Sequence, residues 1–198
     1  MATEEGQGAG RGVGRGLSAM ALRDTPVIET PRLVLRPRTV DDADAMFAVY
    51  RDADLMQYWS GPPHDDVAQT RAEFEQRGGD DAWRAWAITR KGDDTAIGMV
   101  AAGEKRQGNV TEIGYMLARD HWGGGIAREA VSAVIDRIFA EGQRRVFADT
   151  DPDNAASRAL LERLGFREEG YLRAEWETHI GVRDTVIYGL LRDEWAGG

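Results

Sequence analysis

Glu112-Ile113-Gly114-Tyr115-Met116-Leu117-Ala118-Arg119-Asp120-His121-Trp122-Gly123-Gly124-Gly125-Ile126-Ala127-Arg128-Glu129-Ala130 is the most informative stretch of the chain. Thr111–Leu117 reads as a strand. Three successive glycines follow, and then Ala127, Ala130, Val131, Val134, Ile135 and Ile138 recur at helical spacing, with Gly142 as the stop. A strand, a glycine turn and a helix start make an anion site. Glycine lets backbone N–H groups crowd around an oxyanion, and a helix N-terminus carries about half a positive charge. The plainer alternative is a flexible connector, although glycine weakens a helix start unless something needs the bare backbone.

Two common anion-binding motifs fit poorly. A nucleotide P-loop ends in Lys-Ser or Lys-Thr, where this chain has Arg128-Glu129. A dinucleotide fold carries its glycines after the first strand and an acid at the end of the second, whereas this loop comes after several strands.

Working outward, Ile28–Arg36 alternates like a strand, with Leu33 and Leu35 on one face. Thr39 is placed to cap a helix over Asp41–Arg51, and acids occupy its first turn. A loop at Ser60–Pro63 precedes a second helix over Asp65–Gln76. Trp86–Thr89 and Ala96–Ala101 read as a hairpin about the turn Lys91-Gly92-Asp93-Asp94. Beyond the central helix come a strand at Val146–Thr150 and a helix capped by Asn154 and closed by Gly165. Closing strands follow at Phe166–Leu172 and Thr185–Leu191. Strands alternate with helices in the middle and hairpins sit at both ends, so an α/β layer architecture with a mixed sheet is expected.

Residues 1–24 stand apart. Gly6, Gly8, Gly10, Gly12, Gly14 and Gly16 alternate with small or charged residues and no apolar period appears, so a flexible tail before one domain over 25–198 is expected. The 198 residues suffice for one full hydrophobic core, and the absence of cysteine removes disulfides, thiolate zinc sites and a cysteine nucleophile. A net charge of -9 argues against a broad nucleic-acid surface and suits a cationic substrate. No stretch reaches the roughly 20 apolar residues of a membrane span. No membrane association and a cytoplasmic location are therefore expected.

The loop resembles that of the GNAT superfamily of acetyl-coenzyme A-dependent N-acetyltransferases. Gly125-Ile126-Ala127 matches the second half of the family's pyrophosphate-binding pattern, while Trp122 stands where Gln or Arg is usual. Trp122, Gly123, Gly125, Ala127, Glu129 and Ala130 together resemble the RimJ/RimL-type branch, the ribosomal-protein N-terminal acetyltransferases. So do the opening Ile28–Arg36, Glu112-Ile113-Gly114-Tyr115, Asn154 with Ser157, Leu164-Gly165-Phe166 and Val186-Ile187-Tyr188. The resemblance runs over about residues 27–192. It implies a mixed, mostly antiparallel sheet of about six or seven strands with about four helices, splayed between the fourth and fifth strands.

The resemblance also implies that acetyl-coenzyme A is the co-substrate and that no metal is used. Its contacts would be Trp122, Gly123, Gly124, Gly125, Ile126 and Ala127 at the pyrophosphate, the backbone of Tyr115, Met116 and Leu117 along the pantetheine arm, and Asn154 and Ser157. The acceptor would be a primary amine, either a protein N-terminus or a small molecule, with a homodimer and other oligomeric states left open.

Thioester aminolysis needs proton removal from the amine, donors for the oxyanion and a proton for the leaving sulfur. Many family members place a tyrosine acid where this chain has Leu161. The resemblance therefore assigns the acid to Ser157, although a serine in a helix's first turn also caps its own backbone. Glu112 and Glu175 are the two candidates for the base. Trp59 could wall the substrate pocket or serve as a core aromatic. His64, His121 and His179 show no metal-ligand spacing and read as surface residues. The competing reading is a coenzyme A-binding regulatory module without catalysis.

Overall fold

The computed structural model describes residues 25–77, 83–106 and 108–197; the glycine-rich segment 1–24 lies outside them. Eight strands form one sheet: β1 (Ile28–Glu29), β2 (Leu33–Pro37), β3 (Trp83–Arg90), β4 (Asp93–Arg106), β5 (Val110–Leu117), β6 (Arg145–Thr150), β7 (Arg167–Thr178) and β8 (Gly181–Leu191). Their order is β1-β2-β3-β4-β5-β6-β8-β7, and every neighbouring pair is antiparallel except β5 with β6. Five α-helices join them: α1 (Ala43–Tyr50), α2 (Ala53–Met56), α3 (Val67–Arg77), α4 (Ile126–Ala140) and α5 (Ala155–Arg163). The mixed, mostly antiparallel sheet is the one expected; the strand and helix counts were each slightly low.

Two differences account for those counts, and a third moves a helix start. The expected strand over Ile28–Arg36 is broken, because Thr30 closes a turn: its N–H donates to the Leu33 carbonyl at 3.0 Å and its hydroxyl accepts from the Leu33 N–H at 2.9 Å. Thr39 heads a 3-10 turn over Val40–Asp42 that leads into α1; there the Asp42 carboxylate accepts from the Thr39 N–H at 2.7 Å. Single-turn α2 was missed altogether. Asp52 caps it by accepting from the backbone N–H groups of Asp54 and Leu55, too local a device to leave a periodic pattern.

The last hairpin is also longer than expected. It runs through Thr178 and restarts at Gly181, whose φ of +110° suits glycine at a tight turn. Most of β7 is exposed, so no alternation of buried residues marked it.

The sheet carries helices on both faces. On one face α4 and α5 bury Val131, Val134, Ile135, Ile138 and Leu161 against Ile113, Val100, Val146 and Tyr188. On the other, α1 and α3 bury Met46, Tyr50 and Phe74 against Ala87, Met99 and Met116. Along β5, Ile113 and Leu117 join the first core, Tyr115 packs against it, and Met116 joins the second, as strand alternation requires.

One departure from regular pairing creates the site. β5 and β6 pair only at Val110–Arg145, Thr111–Val146 and Glu112–Phe147. Beyond Glu112, β5 keeps its β4 partner and β6 keeps β8, but the two strands no longer pair with each other. The Ala118 N–H donates to the Ile97 carbonyl on β4 at 2.9 Å. Alternation along the strand then turns the backbone groups of Leu117, Tyr115 and Ile113 toward the gap.

Candidate active site

At the end of β5 the chain makes a 3-10 turn, Arg119–His121, and enters the glycine loop. Gly123 and Gly125 adopt φ of +76° and +74°, a region hostile to side chains. Nothing lies within 4 Å of where a Cβ on Gly123 would stand, so the cradle is open. Gly125 is the N-cap of α4, and the first-turn N–H groups of a helix have no partners within it. Trp122 closes the turn: its indole N–H donates to the Leu117 carbonyl at 2.8 Å, while the ring remains about half exposed beneath the Arg119 guanidinium.

The loop is tied to the opening hairpin by contacts that the sequence reading did not foresee. The Glu129 carboxylate accepts from the Thr30 hydroxyl at 2.6 Å, the Arg32 N–H at 2.9 Å and the Arg32 Nε at 2.6 Å. Arg32 Nη1 also donates to the Gly124 carbonyl at 2.8 Å. Desolvation works to raise the Glu129 pKa, but these donors outweigh it and hold the carboxyl below the usual carboxylate range. Both partners lie within matched motifs, yet a separation of 97 residues leaves no local signal of the contact.

A cavity of about 790 Å³ runs from this loop along the open edge of β5. Tyr115, Met116, Leu117, Trp122, Gly123, Gly125, Ile126, Ala127, Asn154 and Ser157 all line it. Gly124 alone of the expected cofactor contacts does not; its carbonyl turns to Arg32. Arg128 and Arg163 line the same cavity and make no ion pair among the described residues. They provide the local positive charge that an anionic ligand needs on an acidic chain.

A second cavity, of about 1010 Å³, lies on the far side of the gap and includes Glu112, Gly114, Asp149, Trp176 and Asp184 in its walls. The two cavities meet at Trp59, Tyr115, Asn154 and Ser157. Trp59 reaches over β5, with its Cη2 3.8 Å from where a Cβ on Gly114 would stand.

Ser157 is held from two sides at this junction. Its N–H donates to Asn154 Oδ1 at 3.1 Å, so Asn154 caps α5. Its hydroxyl shares a hydrogen bond of 2.8 Å with the Tyr115 hydroxyl. Burial pushes the Tyr115 phenol up to about 12, against the smaller opposing effect of the Ser157 hydrogen bond. Tyr115 thus stays neutral and able to donate, a side-chain placement not foreseen when only its backbone was considered. Leu161, where the resemblance led to an expected tyrosine acid, is fully buried in the core.

The carboxylates separate by environment. Glu112 lines the second cavity at the last paired rung of β5 and β6. Glu175 is exposed on β7 and does not line the cavity, but its charge reaches Asp149. Burial raises the Asp149 pKa, Glu175 adds to the rise, and the Trp176 N–H opposes it. Asp151 behaves oppositely: Arg183 outweighs its desolvation and holds it below the ordinary range.

Two of the three histidines stand away from both cavities: His64 stacks on Tyr50 with its Nδ1 2.9 Å from the Thr70 hydroxyl, and His179 sits in the β7–β8 turn. His121 lines the cavity beside the glycine loop, 3.5 Å from Arg90. Among the described residues no three His, Cys, Asp or Glu side chains gather as a metal site, and no helix is long and apolar enough to cross a membrane.

Residues 32–167 match the acetyltransferase (GNAT) domain model. The chain is 34% identical over 173 residues to the uncharacterized N-acetyltransferase p20 of Bacillus licheniformis, covering 85% of this chain and 97% of that one. Its fold is similar to that of a probable GNAT-family acetyltransferase from Chromobacterium violaceum. That match has a TM-score of 0.82 at 22% identity and covers 97% of this chain and 99% of the other. It is also similar to RimL, a ribosomal L7/L12 alpha-N-protein acetyltransferase solved in complex with coenzyme A, with a TM-score of 0.73 at 21% identity over 85% and 99% of the two chains. With the glycine loop, the splayed strands and the motif order all in agreement, the chain belongs to the GNAT family of N-acetyltransferases.

Proposed function

We propose that this protein transfers an acetyl group from acetyl-coenzyme A to a primary amine by direct attack while both substrates are bound. The observation that carries this reading is the meeting of two cavities at Ser157 and Tyr115. One cavity has a glycine cradle and two arginines, Arg128 and Arg163, with no ion pair among the described residues; the other has five carboxylates in its wall against three arginines. The first suits a pyrophosphate with a long thioester arm, and the second a cationic amine.

In this reading the thioester lies in the gap beyond Glu112, where the backbone groups of Tyr115 face outward and an N–H serves the oxyanion. Ser157 gives the leaving sulfur its proton, supported by the neutral Tyr115 hydroxyl 2.8 Å away. Glu112 faces the amine's cavity and Glu175 contributes negative potential from outside it, so of the two sequence candidates Glu112 is the better situated to receive a proton. Trp59 walls the acceptor side. Acceptors of both classes, a protein N-terminus and a small amine, present the same ammonium group to this wall. The reaction and its substrates are those of the cytoplasm.

Thiol release from acetyl-coenzyme A across a panel of N-terminal peptides, polyamines and other small amines tests the reading. Release that requires both partners is expected. Tight coenzyme A binding with no acetylated product from any amine would favour a regulatory binding module.

A further inference from the structure

Asp149 is the acceptor-cavity carboxylate that a bulged strand supports. It sits on β6 two residues past Phe147, the last β6 residue paired with β5, and lines the same cavity as Glu112 and Ser157. Its Oδ2 accepts from the Trp176 indole N–H at 2.8 Å, while its Oδ1 has no side-chain partner among the described residues. Trp176 reaches Asp149 because β7 is bulged. From Leu172 to Trp176 the strand advances four residues while its partner, from Thr185 to Arg183, advances two. Asp184 pins the bulge. Its Oδ1 accepts the Ala174 N–H at 2.7 Å and its Oδ2 the Tyr171 hydroxyl at 2.6 Å. Ala174 takes a φ of +55° there, a conformation that a non-glycine residue adopts at a cost. An irregular strand is thus held in shape, with its indole aimed at one carboxylate.

We propose that Asp149 receives the acceptor's ammonium group and takes its first proton, with Trp176 as the residue that positions it. The inference rests on the acetyl-transfer reading. The indole and the residue's own backbone N–H hold the carboxylate where it lines the cavity, a placement suited to receiving an N–H donor. The surrounding charges favour the transfer. Glu175 on β7 and Glu112 on β5 are acids; Arg183 on β8 is bound to Asp151 and Asp153; Asp184 on β8 is occupied by the bulge; Tyr115 stays neutral. Of the other cations lining the cavity, Arg84 is bound to Glu141 and Arg38 lies over the Phe74 ring.

The protons balance. Asp149 takes one from the ammonium nitrogen, which then attacks the thioester carbon. The N–C bond forms and the C–S bond breaks, with its electron pair leaving on sulfur. The nitrogen loses its second proton as Ser157 relays one to the sulfur, and Asp149 returns the first to water.

The test compares pH profiles of kcat/KM for the amine in the wild-type protein, Asp149→Asn, Trp176→Phe and Glu112→Gln. Asp149→Asn should lower kcat/KM for the amine by about a hundredfold or more and remove the acidic limb, while KM for acetyl-coenzyme A stays within about twofold. Trp176→Phe deletes the donor that holds Asp149 down, so the acidic limb should move to higher pH with the limb itself retained. A purely structural role for the indole would leave that limb in place. An acidic limb that survives Asp149→Asn, or one abolished by Glu112→Gln alone, overturns the assignment. A wild-type protein that acetylates no amine overturns the acetyl-transfer reading itself, and the two failures are therefore distinct.

Discussion

Glu129→Ala cuts the tie between the opening hairpin and the glycine loop. Three hydrogen bonds end on this carboxylate. Those from the Thr30 hydroxyl and the Arg32 N–H contribute about 1 kcal/mol each after exchange with water. The third comes from a guanidinium that is half exposed, so solvent screening limits it to at most about 1 kcal/mol. A loss of about 2 kcal/mol at neutral pH is therefore expected. The folded Glu129 carboxyl is depressed, so its contribution is present above the unfolded carboxyl's pKa and disappears as pH falls through the lower, folded value. Urea unfolding of both proteins at neutral and acidic pH measures this difference, which should shrink toward acid. Arg32 also holds the Gly124 carbonyl, and loosening it should weaken coenzyme A binding about fivefold, near 1 kcal/mol. Equal unfolding midpoints at neutral pH, or a difference that grows toward acid, would refute the reasoning.

Three further outcomes follow from the same geometry. Gly125→Asp puts a carboxylate and a side chain into a left-handed position at the helix start, and calorimetry should find coenzyme A binding weakened about a hundredfold. Asn154→Ala removes the cap on the Ser157 N–H and should cost about 1 kcal/mol of stability by denaturant unfolding, together with a higher KM for acetyl-coenzyme A. Ser157→Ala should lower turnover by about tenfold or more with little change in acetyl-coenzyme A affinity, and full turnover with chemistry rate-limiting would remove the serine from the reaction.

Much of the architecture was legible because the core is strictly periodic. Val131, Val134, Ile135 and Ile138 mark one face of α4, and all four are fully buried. Leu33 and Leu35 likewise mark β2. The breaks in periodicity were less visible. Pro31 falls inside an alternating run, so β1 and β2 read as one strand, and the exposed β7 carries no burial pattern.

The cofactor side of the site was legible for a different reason. Its glycines, Asn154 and Ser157 lie in two short segments whose order is itself a pattern. The acceptor side is assembled from β5, β6, β7, β8 and the segment around Trp59. Asp149 and Trp176 lie 27 residues apart and meet only because a bulge turns the indole inward, which no local spacing encodes. The phenol of Tyr115 was overlooked likewise, since its Ser157 partner is 42 residues away.

Direct passage of acetyl from thioester to amine where the two cavities meet, as proposed, has a kinetic signature. Initial velocities measured while acetyl-coenzyme A and an active amine are varied together test it most directly, alongside intact-mass analysis of protein incubated with acetyl-coenzyme A alone. Intersecting lines and an unacetylated protein are expected; parallel lines with an acetyl group resident on the enzyme would contradict direct transfer.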